Sequence, residues 1–147
     1  MTTIRQGFIM KKTLILAAVI ASSSAIADTQ RLAIHVDEND PKVMNLALNN
    51  AQNVKAYYSA KGDDVIVELV AYGPGLNMYL DNSPVKERIE TLGMDESFKF
   101  SACNNTYTKM SKKAGKDLVL VSEAQKVPSG VVRLMELQKE GYAYLRP

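Results

Sequence analysis

The residue types able to do chemistry in this chain are few, and the strongest is a lone thiol. Cys103 is the only cysteine and His35 the only histidine among 147 residues. Phe98-Lys99-Phe100-Ser101-Ala102 reads as a buried strand, and Asn104-Asn105-Thr106 reads as the start of a helix. A thiol at that junction faces the free backbone N–H groups of the helix mouth and the positive end of its dipole. Both lower a thiol pKa and favour the nucleophilic thiolate. Asn104 or Asn105 is the expected cap of that helix. Lys109, Lys112, Lys113 and Lys116 follow; they read first as a solvated face, and more sharply as an electrostatic lure for an anionic sulfur compound or an acidic partner. The plainer account of Cys103 is a packed, inert side chain, because free cysteine is among the most buried residue types.

The other candidates are weaker. His35, followed by Asp37, would supply a base or a thiolate partner if it met the thiol, and otherwise a structural hydrogen bond. Gly73-Pro74-Gly75 is too short for a P-loop or a dinucleotide fingerprint and reads as a tight turn that lets backbone approach a ligand or a neighbouring loop. One Cys and one His without clustered acids fall short of the usual zinc sets, so no metal site is assigned. A soft-metal site pairing Cys103 with His35, Met78, Met94 or Met110 is the remaining metal reading, against methionine as core filler. No cofactor is implied.

These residues need elements to hold them. Arg31 to Val36 is a first strand, ending at His35 and Asp37. Asp40-Pro41 gives an N-cap with proline at the first helical position, and Met44, Ala47, Leu48, Ala51, Val54 and Tyr58 recur at helical spacing before Gly62. Asp64 to Tyr72 is the clearest strand and runs into Gly73-Pro74-Gly75. A second helix is expected from Ser83-Pro84 to Gly93, then the Cys103 strand and its lysine-rich helix. A fourth strand is expected over Leu118 to Val121. Val127-Pro128-Ser129-Gly130 leads into a last helix, and Tyr142 to Leu145 closes as a short strand. Strands alternating with helices, and reading as apolar runs buried on both faces, predict a three-layer α/β/α sandwich around a mainly parallel sheet of about five strands. Ligands of such sheets sit outside the carboxyl ends of the strands. His35, the Gly73-Pro74-Gly75 turn and Cys103 all map to that edge.

Residues 1–27 read as an export signal: Met10-Lys11-Lys12 as basic region, Leu14 to Ile20 as apolar region, and Ala25-Ile26-Ala27 as cleavage site, with Met10 a second candidate start. The apolar region is too short to span a bilayer, so no stable membrane insertion is expected. Residues 28–147 then form a single domain, placed in the periplasm. Without Arg5, Lys11 and Lys12 the 18 Lys and Arg fall to 15 against 16 acids, a net charge of about −1. That balance gives no case for nucleic-acid binding.

Several segments taken together have a family look: Ile34-His35-Val36-Asp37, Val70-Ala71-Tyr72-Gly73-Pro74-Gly75-Leu76, Ala102-Cys103-Asn104-Asn105-Thr106, Val127-Pro128-Ser129-Gly130-Val131 and Leu137-Gln138-Lys139-Glu140-Gly141-Tyr142-Ala143-Tyr144. In this order they resemble the DsrE/DsrF-like family, specifically its small exported branch, over nearly all of residues 28–147. Tyr72 departs from that pattern, in which histidine is common at this position. The resemblance implies a DsrE-like sandwich, a homo-oligomer such as a trimer or hexamer, and sulfur relay in which Cys103 carries a persulfide between a donor and an acceptor, whether partner protein or small sulfur compound. It matches His35 to a strand-end histidine. A sulfurtransferase-like activity is the enzymatic form of this expectation. The alternatives are a non-enzymatic oligomeric binding module with a structural cysteine, and the soft-metal protein.

Overall fold

Five parallel strands lie in the order β4-β3-β2-β1-β5, in a computed structural model that describes residues 28–147. The expected export signal, residues 1–27, lies outside the described residues. The strands are β1 (Thr29–Val36), β2 (Asp64–Ala71), β3 (Phe98–Cys103), β4 (Ala124–Val127) and β5 (Ala143–Leu145). The helices are α1 (Pro41–Ser59), α2 (Lys86–Leu92), α3 (Asn104–Ala114) and α4 (Gly130–Lys139). A 3₁₀ segment, Gly73–Tyr79, follows β2.

Sequence period explains most of this. In α1 the Asp40 carboxylate accepts from the Lys42 N–H at 2.8 Å, Pro41 fills the first position, and Met44, Ala47, Leu48 and Ala51 form the buried stripe. That stripe covers one face of the sheet, together with Ile89 and Leu92 of α2 and the half-buried Tyr107 and Met110 of α3. Alternation along the strands gives the opposite face to Ala33, His35, Glu68, Val70, Ser101 and Cys103. Only α4 covers it, through Leu134 and Leu137 against Ala33, Val70 and Tyr142. The fold is an α/β sandwich of three unequal layers.

The order of strands decides where a site can form. The chain steps outward from β1 to β4 with its helices on one face, then returns through α4 on the other to place β5 beside β1. At the carboxyl edge, β3 therefore feeds a helix on one face and its neighbour β4 feeds a helix on the opposite face. Open α/β sheets bind ligands at such switch points. Here it falls between Cys103 and Gly130.

Four expectations need correction. The fourth strand is Ala124–Val127, not Leu118 to Val121. The latter run is apolar because it packs antiparallel against the chain after the 3₁₀ segment. The Asp81 N–H donates to the Val119 carbonyl and the Val121 N–H to the Tyr79 carbonyl, both at 2.9 Å. An edge strand has one unpaired side, so β4 carries polar Gln125 and Lys126 where a buried strand would not. Gly73-Pro74-Gly75 does not stop at a tight turn; it opens the 3₁₀ segment. The second helix begins at Lys86, with Ser83-Pro84 in the turn before it. Finally, neither Asn104 nor Asn105 caps α3; both lie inside its first turn, and Cys103 itself is the N-cap residue.

Candidate functional site

Cys103 ends β3 with extended backbone (φ −64°, ψ 114°) and hands the chain to α3. Its side chain is 5% exposed. It makes no conventional capping bond. Burial pushes the thiol pKa up, but the Gly130 N–H, the Thr106 hydroxyl, and the N–H groups of Thr106 and Asn105 outweigh it and bring the pKa below the usual 9.0. Three of these groups belong to α3 residues and one to the first residue of α4. The thiolate seat is thus built by two helix N-termini diverging from the switch point, where orphan N–H groups and helix dipoles favour an anion.

The surroundings fix that seat. Thr106 Oγ1 accepts the Gly73 N–H at 2.9 Å, which leaves its own hydroxyl hydrogen for the sulfur. Gly73 has φ +53°, a left-handed conformation that glycine adopts without strain. A Cβ on Gly75 would lie on the Val36 carbonyl, so this loop closes directly onto the end of β1. Gly130 is as constrained: a Cβ there would stand 2.9 Å from Tyr72 Cδ1 and 3.3 Å from Cys103 Cβ. The Ser129 hydroxyl caps α4 by accepting from the Val132 N–H at 3.5 Å. Pro74 is exposed, Asn105 is exposed and Asn104 half-buried, and none of their side chains reaches the sulfur.

His35 shares the rim and the sheet face with Cys103 but not its surroundings. The two stand on β1 and β3 with β2 between them, at roughly twice the 4.8 Å strand spacing. Tyr72 fills the gap, stacked on His35 with centroids 4.6 Å apart and on its other side against Gly130. His35 Nδ1 lies 2.7 Å from the Tyr144 hydroxyl. Its buried Nε2 has no hydrogen-bond partner among the described residues and lies 3.8 Å from Asp37 Oδ2. Burial lowers the imidazole pKa, Asp37 opposes that, and Arg146 adds to it. Asp37 is held by Arg146 at 2.9 and 3.1 Å, and despite some desolvation its pKa is lowered. His35 therefore neither deprotonates Cys103 nor shares a metal with it. Met78 is buried in the main core, Met110 packs against that core and Met94 is 80% exposed, so no soft-metal set assembles.

Gly130, Tyr72, Tyr144 and Arg146 are site neighbours that the sequence did not reveal. Val127-Pro128-Ser129-Gly130 carried the one usable signal, a cap and a glycine before a helix, but only strand order brings that turn to Cys103. A groove of about 440 Å³ runs between α4 and strands β3 and β4, past Lys99, Gln125, Val127, Pro128, Val132 and Arg133. Cys103 is not among its lining residues.

No family model matches the sequence, and no curated protein matches it. Among solved structures the chain is similar to the protein of unknown function MTH1491 from Methanobacterium thermoautotrophicum, with a TM-score of 0.66 and 30% identity over 80% of this chain and 99% of that one. The chain belongs to the family of that archaeal protein. The kinship extends over the whole of the archaeal chain, a protein without known function, and so it speaks for the α/β fold.

Proposed function

We propose that this protein is an exported sulfur carrier of the DsrE/DsrF type, holding sulfane sulfur as a persulfide on Cys103. The observation that carries the reading is the placement of Cys103 at the N-terminus of α3 with the first residue of α4 packed against it, a Cβ on Gly130 standing 3.3 Å from Cys103 Cβ; the N–H groups of Gly130, Thr106 and Asn105 and the Thr106 hydroxyl lower the thiol pKa there. The Cys103 thiolate attacks the outer sulfur of a donor persulfide R–S–SH. An Sγ–S bond forms, the donor S–S bond breaks, and its electron pair leaves with R–S⁻, which takes up a proton. With thiosulfate the leaving group is sulfite. An acceptor thiolate then attacks the outer sulfur of the Cys103 persulfide and returns Cys103 as thiolate. No net oxidation occurs, and donors that stabilise a thiolate also stabilise it as leaving group. With the side chain 5% exposed, the donor must be small or must displace the Tyr72 and Gly130 cover.

The test is intact mass after incubation with thiosulfate or a small persulfide. The carrier reading expects one added sulfur, removed by reductant and absent from Cys103→Ser. A wild-type protein that gains none, under conditions that load a known carrier, refutes it.

A second reading is a non-enzymatic oligomeric module with Cys103 merely packed. The exposed apolar side chains of α4, Val131, Val132 and Met135, favour an assembly surface, which the carrier reading accommodates as the homo-oligomer. Native mass tests the oligomer, and a thiol inert until the protein is denatured would favour this module.

A further inference from the structure

Glu68 is the one charged residue buried in the central strand, 2% exposed, and it takes no part in the thiol chemistry just described. It stands on the α4 face of β2. Its Oε1 accepts from the Ser101 hydroxyl at 2.6 Å and from Arg133 Nε at 2.7 Å, and its Oε2 accepts from Arg133 Nη2 at 2.8 Å. Ser101 lies two residues before Cys103 on the same face of β3, and Arg133 lies three residues after Gly130. The cluster thus ties α4 to β2 and to β3, the strand that ends in the thiol.

Its energetics argue against a purely stabilising purpose. A buried ion pair repays its desolvation only narrowly, and well-packed apolar side chains of similar volume serve stability as well or better. What the bidentate fork adds is geometry, since it fixes both the rotation and the height of a helix. Beyond the close packing of Gly130 on Tyr72 and Cys103, the amino end of α4 has little else to fix its rotation and height. Its apolar anchors, Leu134 and Leu137, sit further along and pack against β1 and β2, while Val131 and Val132 are each 50% exposed. Among the described residues, Arg133 makes the only side-chain hydrogen bonds from α4 to the sheet.

We propose that the Glu68–Arg133–Ser101 clamp is a positioning device for Cys103: it holds the amino end of α4, and with it the Gly130 N–H, against the sulfur. This rests on the thiolate reading of Cys103. Loss of the clamp lets the end of α4 lift, and the thiolate loses the one donor that comes from the far side of the switch point.

The test compares thiol alkylation rate against pH in the wild type, Arg133→Lys, and the double variant Glu68→Leu with Arg133→Leu. Charged and titratable groups near the clamp and the thiol are Lys99 on β3, Glu136 and Glu140 on α4, Tyr72 after β2, Tyr79 of the 3₁₀ segment and Tyr142 before β5, all retained in every variant. Arg133→Lys keeps the charge but not the fork. The double variant removes both charges together, so its net field at Cys103 barely changes. Both are expected to alkylate about tenfold more slowly than wild type below the thiol pKa, the effect of one lost hydrogen bond to an anion. Arg133→Lys keeps the pair and therefore the fold, so the comparison stands even if the double variant unfolds. A folded Arg133→Lys with the wild-type pH profile and a changed melting temperature alone overturns the proposal. A wild-type thiol that titrates at its ordinary value overturns the thiolate reading instead.

Discussion

Thr106 carries the sharpest consequence of this geometry, because one hydroxyl serves two partners. It accepts the Gly73 N–H at 2.9 Å, and it helps to hold the Cys103 thiol pKa down. Thr106→Val keeps shape and β-branching and removes both interactions. A hydrogen bond to a charged group contributes about 1.5 kcal/mol, so the thiolate should lose about one pKa unit of stabilisation. Thiolate fraction, and with it alkylation rate, then falls about tenfold at any pH well below the wild-type pKa. The half-buried Gly73 N–H loses its acceptor at the same time, which costs about 1 kcal/mol of folding stability. Thr106→Ser retains the hydroxyl and should keep most of both. Alkylation rate against pH, with urea unfolding on the same samples, separates the two effects. If Thr106→Val titrates like the wild type while Thr106→Ser does not, the assignment of this donor is refuted.

Two further outcomes follow from the same rim. Gly130→Ala places a methyl 2.9 Å from Tyr72 Cδ1 and 3.0 Å from Tyr72 Cβ, so it should cost about 1–2 kcal/mol despite the helix-favouring substitution, and a urea midpoint equal to wild type would contradict the contact. His35, the sole histidine, has its pKa held below 6.5 in the fold by burial. The unfolded chain therefore takes up a proton first as pH falls through 6.5, and stability should be lost from 6.5 down to the folded value. Unfolding free energies measured on either side of 6.5 check the sign, and the dependence should vanish in His35→Gln.

The central strands, the first helix and the class of fold were legible because period and capping act locally. Asp40-Pro41 and the Met44–Ala51 stripe announce α1 in any context, and the β-branched run of β2 announces a buried strand. Of the two edge strands, β5 was legible as Tyr142 to Leu145 and β4 was not. Leu118 to Val121 is apolar for a local antiparallel contact, whereas β4 is half polar because one side and part of one face meet solvent. At the site, Cys103 at a strand-to-helix junction could be read directly from its neighbours. Its second set of donors could not, since Gly130 is separated from it by the whole of α3 and β4 and meets it only through strand order. The same holds for the separation of His35 from Cys103, which a single intervening strand decides.

The proposed relay requires Cys103 to be a stabilised thiolate. Its direct test is the ultraviolet titration of the native protein, taken as the difference between wild type and Cys103→Ser so that tyrosine ionisation cancels. Because the folded pKa is lowered, thiolate absorbance should appear below pH 9.0, and the same titration in denaturant should move back up to that ordinary value. A native thiol that ionises at or above 9.0 would contradict it.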